Sequence, residues 1–219
     1  MNYLNLLFAS WLSLLWFVPI TSPDVQVLTH FNYCSTQAAD KSFVEINVLE
    51  PSIVVDIKYA TTDNFVKEKM YNCGRCFLRK EAAAAIVSAH RKLQRKGLRL
   101  KIWDAYRPRT FQYKLWNKMP DPRYVMNPAK GSMHNRGAAV DLTIVDKSGK
   151  ELDMGTPYDF FGEKAHHNYT KLPKNVLENR KLLKETMAAV GFNSIRTEWW
   201  HYSYSKIKYE LSDWVWNCP

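Results

Sequence analysis

Hydrophobic positions recur along the chain at two periods, and the switches between them mark the expected elements. Residues 43–61, FVEINVLEPSIVVDIKYAT, alternate β-branched and polar side chains around Pro51, which predicts two short strands separated by a turn. KEAAAAIVSAHRKLQRKG at 80–97 changes to a helical period. Ile86, Ala89, His90 and Leu93 fall on one apolar face, basic residues gather toward the end, and Gly97 stands where a left-handed stop is needed. LRLKIWDAY (98–106) returns to strand character and runs into a second helix, PRTFQYKLWNK (108–118), with Pro108 in its first turn. Residues 119–132 contain Pro120, Pro122 and Pro128 without a usable period, so a long surface loop is expected. AAVDLTIVD (138–146) predicts another strand, closed by the turn-rich KSGKELD. VLENRKLLKETMAAVG (176–191) predicts a helix burying Val176, Leu183, Met187 and Val190, with Gly191 as its stop, and a last strand is expected near TEWWHYSY (197–204).

Strands and helices do not alternate strictly. The expected class is therefore α+β, a single domain with a mainly antiparallel central sheet, helices packed on it and a metal site at the sheet. With 219 residues, 46% hydrophobic, the chain suits one well-buried domain and is short for two. Residues 42–219 are expected to form that domain, and the polar, irregular residues 23–41 a linker or N-terminal arm. From Leu4 to Ile20 the chain is almost wholly apolar, followed by Thr21, Ser22 and Pro23, so residues 1–22 read as a signal peptide or, if retained, an N-terminal anchor. No Lys or Arg precedes the apolar run. An exported protein, periplasmic or extracellular, is the expectation.

The formal charge of +10 adds little to this picture. Basic residues are scattered rather than blocked and form no nucleic-acid motif, so a solvated basic surface is expected and no nucleic-acid partner. No stable membrane partner is expected unless the N-terminal segment is retained, and the sequence leaves the oligomeric state open. Cys34, Cys73, Cys76 and Cys218 are even in number, which in an exported protein makes all four disulfide candidates, with three connectivities. Cys73 and Cys76 form a CxxC that also fits a redox pair or half a zinc site; with no second CxxC or nearby His pair, a structural disulfide is the preferred reading.

Three segments concentrate chemistry: WDAYRP (103–108), SMHNRGAAVD (132–141) and EWWHY (198–202). Together they supply His134, Asp141 and His201 as metal ligands and Glu198 as a separate base, the inventory of a catalytic zinc site with one Zn²⁺ per chain. Residues seven apart on a straight strand face opposite ways, so His134 and Asp141 converge only if Asn135, Arg136 and Gly137 bend the chain. Glu198 is expected at the bend entering the last strand, facing the metal-activated water. Arg107 is the candidate for stabilising an oxyanion; pairing with Asp104 is the competing structural reading. Trp199 and Trp200 are assigned to core or pocket wall. The ligand set suits several divalent ions.

At this point the sequence resembles the zinc D-alanyl-D-alanine dipeptidases, including those associated with vancomycin resistance. KYATTDNF (58–65), WDAYRP, SMHNRGAAVDLT, MGTPYDF (154–160), the pair His166 and His167, and EWWHY stand in that family's order across roughly residues 43–205. The resemblance implies zinc on His134, Asp141 and His201, Glu198 as general base and acid, and Arg107 stabilising the tetrahedral intermediate. It also implies a small dipeptide substrate, hydrolysed to two D-alanines, with Asp159 and Tyr59 at its amino end and Ser132 beside it. The alternative within the wider group is a D,D-carboxypeptidase or endopeptidase acting on peptidoglycan stem peptides. The chain departs from the family pattern at Tyr158, where FD is expected and YD is found, and at Met133, which replaces a small polar residue.

Overall fold

The computed structural model describes residue 40 and residues 42–219. The signal or anchor segment, nearly all of the expected arm, and Cys34 lie outside the described residues. The chain opens with β1 (Phe43–Glu45), a single helical turn α1 (Ile46–Leu49) and β2 (Val54–Val55). Then come β3 (Phe77–Arg79), α2 (Lys80–Gln94), β4 (Arg99–Asp104), α3 (Arg109–Lys118) and β5 (Ala139–Val145). α4 (Lys174–Ala188), β6 (Phe192–Ser194) and β7 (His201–Tyr204) follow. No helix among the described residues is long and apolar enough to cross a membrane.

Five strands form the main sheet in the order β2-β4-β5-β7-β6, and every pairing except the parallel β2–β4 is antiparallel. The α+β expectation, with a mainly antiparallel sheet, is met. α2 packs against β4 and α4, and α4 packs against β6. The apolar face predicted for α2 is buried, and its His90 is a satisfied core residue: Nδ1 accepts the Leu100 N–H at 3.1 Å and Nε2 lies 2.9 Å from Ser52 Oγ. All seven residues of β5 are buried, as befits the middle strand. Period-two alternation turns Val140, Leu142 and Ile144 to one face and Ala139, Asp141 and Thr143 to the other, which places a carboxylate at the centre of the sheet.

The two strands expected around Pro51 exist, but they serve different sheets: β1 pairs with β3 and β2 with β4. Three short elements escape the sequence pattern. α1 takes a stretch that alternates like a strand, and β3 and β6 are three residues each, too short to show a period. Residues 205–219 have no regular secondary structure, yet Trp214 and Trp216 are buried among aromatic rings. Trp214 stacks on Phe43 at 5.0 Å, and Trp216 meets Tyr71 edge-on at 5.5 Å.

Cys73 is bonded to Cys218, fixing this tail to the body. This bond bears on the readings made of the CxxC. The CxxC is neither a redox pair nor half a zinc site, because its first member is committed to a partner 145 residues away. Cys76, offered as a disulfide candidate, has no disulfide partner among the described residues and is a buried thiol, which burial pushes far above its usual pKa.

Candidate active site

The sheet register builds the site. Asp104 of β4 pairs with Asp141 of β5, and Asp141 pairs with His201 of β7, so three polar side chains lie in one row across three strands. His134 arrives from outside the sheet on a 3₁₀ turn, His134–Arg136, that ends at Gly137 with φ 69°. A Cβ at Gly137 would collide with the Phe43 ring, so both conformation and space require glycine there. The expected bend between His134 and Asp141 is this turn. Asn135, which the sequence suggested only as a turn former, is fully buried and ties the turn down: its Nδ2 donates to the Arg107 carbonyl at 2.7 Å and its Oδ1 accepts from Ser132 N at 2.8 Å and Ser132 Oγ at 3.1 Å.

His134 Nε2 lies 3.2 Å from His201 Nδ1 and 3.4 Å from Asp141 Oδ1, and His201 Nδ1 lies 3.0 Å from Asp141 Oδ1. These three atoms approximate one face of a tetrahedron with bonds of about 2.0–2.1 Å, whose edges are about 3.3 Å. The remaining ring nitrogens are engaged elsewhere: His134 Nδ1 donates to the Ala105 carbonyl at 2.7 Å, and His201 Nε2 lies 3.0 Å from Ser203 Oγ. Such outer contacts fix ring orientation and tautomer, leaving the inner nitrogens as lone-pair donors. Electrostatics agree. Burial opposes ionisation of Asp141, yet the His134 and His201 rings hold its carboxyl well below the usual range. Burial likewise works to lower the His134 pKa, and the Asp141 carboxylate carries the net shift upward. Two imidazole nitrogens and a carboxylate, all buried, thus present their donors to one point and favour positive charge there. The residues fit a divalent metal with borderline-soft nitrogen preference such as zinc.

Glu198 sits on the irregular segment entering β7, as the spacing predicts, and shares the cavity with the triad. Burial raises its carboxyl pKa to about 7, against the pull of His201. Arg107 makes the pairing with Asp104 that is the structural reading of the sequence, and it also reaches the cavity. Its Nη2 donates to Asp104 Oδ2 at 2.5 Å and its Nη1 to Gln112 Oε1 at 2.9 Å, while its guanidinium also lines the cavity. Asp104 is held in turn by the Tyr71 hydroxyl at 2.8 Å. Burial works to lower the Arg107 pKa and the adjacent Asp104 raises it, so the side chain is a permanent cation.

On the other wall, Tyr59 Oη donates to Asp159 Oδ2 at 3.0 Å. Asp159 has φ 55°, a left-handed conformation uncommon for a residue with a side chain, and has no ion-pair partner among the described residues. Burial raises its pKa well above the carboxylate range, with the Asp141 charge adding to the effect. Its loop is pinned by Arg180 of α4, which donates to the carbonyls of Met154, Lys164 and His166 at 2.7–3.2 Å. Arg180 carries no motif signal, because its function is to bond backbone. Trp200 is buried in the cavity wall and Trp199 in the core beside it, as assigned.

All eight candidate residues, His134, Asp141, His201, Glu198, Arg107, Asp159, Tyr59 and Ser132, line one cavity of about 420 Å³. Fold and site together define a peptidase-like centre at the middle of an antiparallel sheet. The family model described as D-ala-D-ala dipeptidase matches residues 39–213, and the chain belongs to that family. It is 40% identical over 159 residues to the D-alanyl-D-alanine dipeptidase of Escherichia coli K12, covering 73% of this chain and 82% of that protein. The corresponding proteins of Enterococcus faecalis and Streptomyces coelicolor are 30% and 32% identical, each match covering 74% of this chain and 91% and 90% of the relatives. The chain is accordingly an enzyme of the metallopeptidase class.

Proposed function

We propose that the chain hydrolyses the free dipeptide D-alanyl-D-alanine to two D-alanines, using one Zn²⁺ held by His134, Asp141 and His201. The observation that carries this reading is the presence, in one cavity, of the ligand triad, a half-buried carboxyl raised to about 7 and a fixed guanidinium. Zinc in such a site supplies a Lewis acid that acidifies water and polarises the scissile carbonyl.

The protein's own groups do the rest. Glu198 takes a proton from the attacking water and passes it to the departing amine, a role that suits a carboxyl whose pKa lies near the working pH. Arg107, held by Asp104 and Gln112, aims a permanent positive charge at the oxygen that becomes negative as the carbonyl is attacked. Asp159, half-buried and without a cation of its own among the described residues, receives the substrate ammonium group, and the Tyr59 hydroxyl holds its carboxyl in place. Ser132, oriented by Asn135, lies beside the bound dipeptide. A half-buried acid facing the cavity without a cation selects substrates with a free amino terminus close to the scissile bond, which favours a dipeptidase over an enzyme that trims long stem peptides.

The apolar segment at 4–20 supports action outside the cytoplasm on wall-derived dipeptides by a catalytic domain spanning residues 42–219. The deciding experiment compares hydrolysis of free D-Ala-D-Ala with that of a pentapeptide ending in the same pair, with and without a chelator. Dipeptide turnover abolished by chelation and restored by Zn²⁺ is expected. Preference for the pentapeptide would transfer the assignment to a D,D-carboxypeptidase, and chelator-resistant turnover would remove the metal.

A further inference from the structure

The two oxygens of Asp141 have different neighbours. Oδ1 faces His134 Nε2 and His201 Nδ1, whereas Oδ2 accepts a hydrogen bond from the Tyr158 hydroxyl at 2.9 Å. Tyr158 is the position at which this chain departs from the phenylalanine of the family motif, so the bond depends on the one atom that distinguishes the two side chains. The ring is held firmly: it packs on Trp103 at 5.0 Å, and Trp200 and Tyr59 meet it edge-on at 5.7 and 6.4 Å. It does not line the cavity that contains Glu198 and Arg107. Instead it lines a neighbouring space of about 730 Å³ on the side of Trp103 and Thr143, which shares Phe65 and Asp159 with the first.

From this geometry we infer that Tyr158 is a positioning residue that commits Asp141 to the metal through a single oxygen. The inference rests on the metal reading proposed above. A carboxylate beside a cation can offer one oxygen or two, and the second oxygen competes with substrate and water for the remaining positions. A donor anchored in an aromatic cage occupies Oδ2 and turns it away from the ion, so Oδ1 alone is presented in line with the two imidazoles. Because the ring does not line the cavity of Glu198 and Arg107, Tyr158 acts on the site through Asp141. Outer-shell partners of this kind change metal affinity by about 10–100-fold when removed.

The test is Tyr158→Phe, which keeps the ring and deletes the hydroxyl. Tyr202→Phe serves as a control, because the Tyr202 hydroxyl is buried and has no hydrogen-bond partner among the described residues. Zinc dissociation constants would be measured by competition with a chromogenic chelator, thermal midpoints on the metal-free proteins, and visible absorption on the Co²⁺-loaded forms. Tyr158→Phe is expected to bind zinc about tenfold more weakly than the parent, with the metal-free midpoint within a few degrees of it. Its Co²⁺ absorption is expected to weaken, as it does when a four-coordinate ion gains a fifth ligand. The control should match the parent in all three. A Tyr158→Phe dissociation constant within twofold of the parent together with an unchanged Co²⁺ spectrum would overturn the inference, as would an equal loss in Tyr202→Phe. A parent protein that binds no zinc would instead defeat the metal reading itself, and the two failures are separable in one titration.

Discussion

Asp141 and His201 stand directly opposite one another in the β5–β7 ladder, with His201 Nδ1 3.0 Å from Asp141 Oδ1. Two of the three candidate ligands are therefore positioned by backbone hydrogen bonds rather than by loop conformation. The third, His134, is set by a turn that Asn135 and Gly137 hold in place. A constellation on paired strands keeps its spacing without help from the ion, and sub-ångström placement is what hydrolytic chemistry demands.

Glu198 should separate binding from turnover. Glu198→Gln is expected to retain zinc and lose about 10²–10⁴-fold in kcat, as removal of a general base does. The same substitution tests the raised pKa. A carboxyl at about 4.5 when unfolded and about 7 when folded stabilises the fold least when ionised, so its contribution is lost as pH rises from about 4.5 through about 7. Metal-free Glu198→Gln should melt higher than the parent at pH 8 and gain less at pH 4. An unchanged difference across that window would contradict the assignment.

Arg107 has two partners with different consequences. Arg107→Ala is expected to lower kcat by about 10²–10³-fold. It should also destabilise the protein by about 3–5 kcal/mol, because Asp104 is left as a buried charge without its cation. Adding Asp104→Asn should restore most of the stability and none of the kcat. Recovery of both in the double variant, read by steady-state kinetics and chemical denaturation, would show that Arg107 serves the fold alone.

Asp159→Asn should raise KM for the dipeptide by about 10–100-fold, the worth of a hydrogen bond to a charged group, with zinc affinity unchanged. An N-acetylated dipeptide should be a poor substrate for the parent enzyme and discriminate little between parent and variant. Equal KM values for the free and acetylated dipeptides in the parent would remove the ammonium-binding role.

Cys73 and Cys218 close a loop with a sequence separation of 145 residues. Replacing either by serine is expected to cost about 2–5 kcal/mol. The loss should appear as a lower thermal midpoint under non-reducing conditions and as enhanced exposure of Trp214 and Trp216 to an aqueous fluorescence quencher. Thermal curves of the parent with and without reductant that superimpose would argue against the bond.

Much of this site was legible in the sequence because its residue types are costly anywhere else. Two histidines, an aspartate and a glutamate among apolar strand residues announce a shared purpose, and a seven-residue interval that fails for a strand announces the bend at His134–Arg136. What stayed hidden falls into two groups. β3, β6 and α1 span four residues or fewer, and such pieces take their conformation from neighbours more than from their own pattern. Arg180, Asn135 and Tyr71 act by bonding backbone or a second side chain, so nothing in their local spacing marks them. Tyr158 was visible as a departure from a motif, but its meaning lay in a contact 17 positions away along the chain.

The cysteine arrangement also sets an order of events. In an unfolded chain, Cys73 and Cys76 are three residues apart and meet far more readily than Cys73 and Cys218, since closing a short loop costs less entropy than closing a long one. Oxidation that outruns folding therefore favours the wrong partner. Docking of β3 withdraws the Cys76 thiol completely from solvent, and burial keeps it protonated and hence unreactive. The native pairing is thus selected by sequestering a competitor, and a chain oxidised too early depends on thiol–disulfide exchange to recover it.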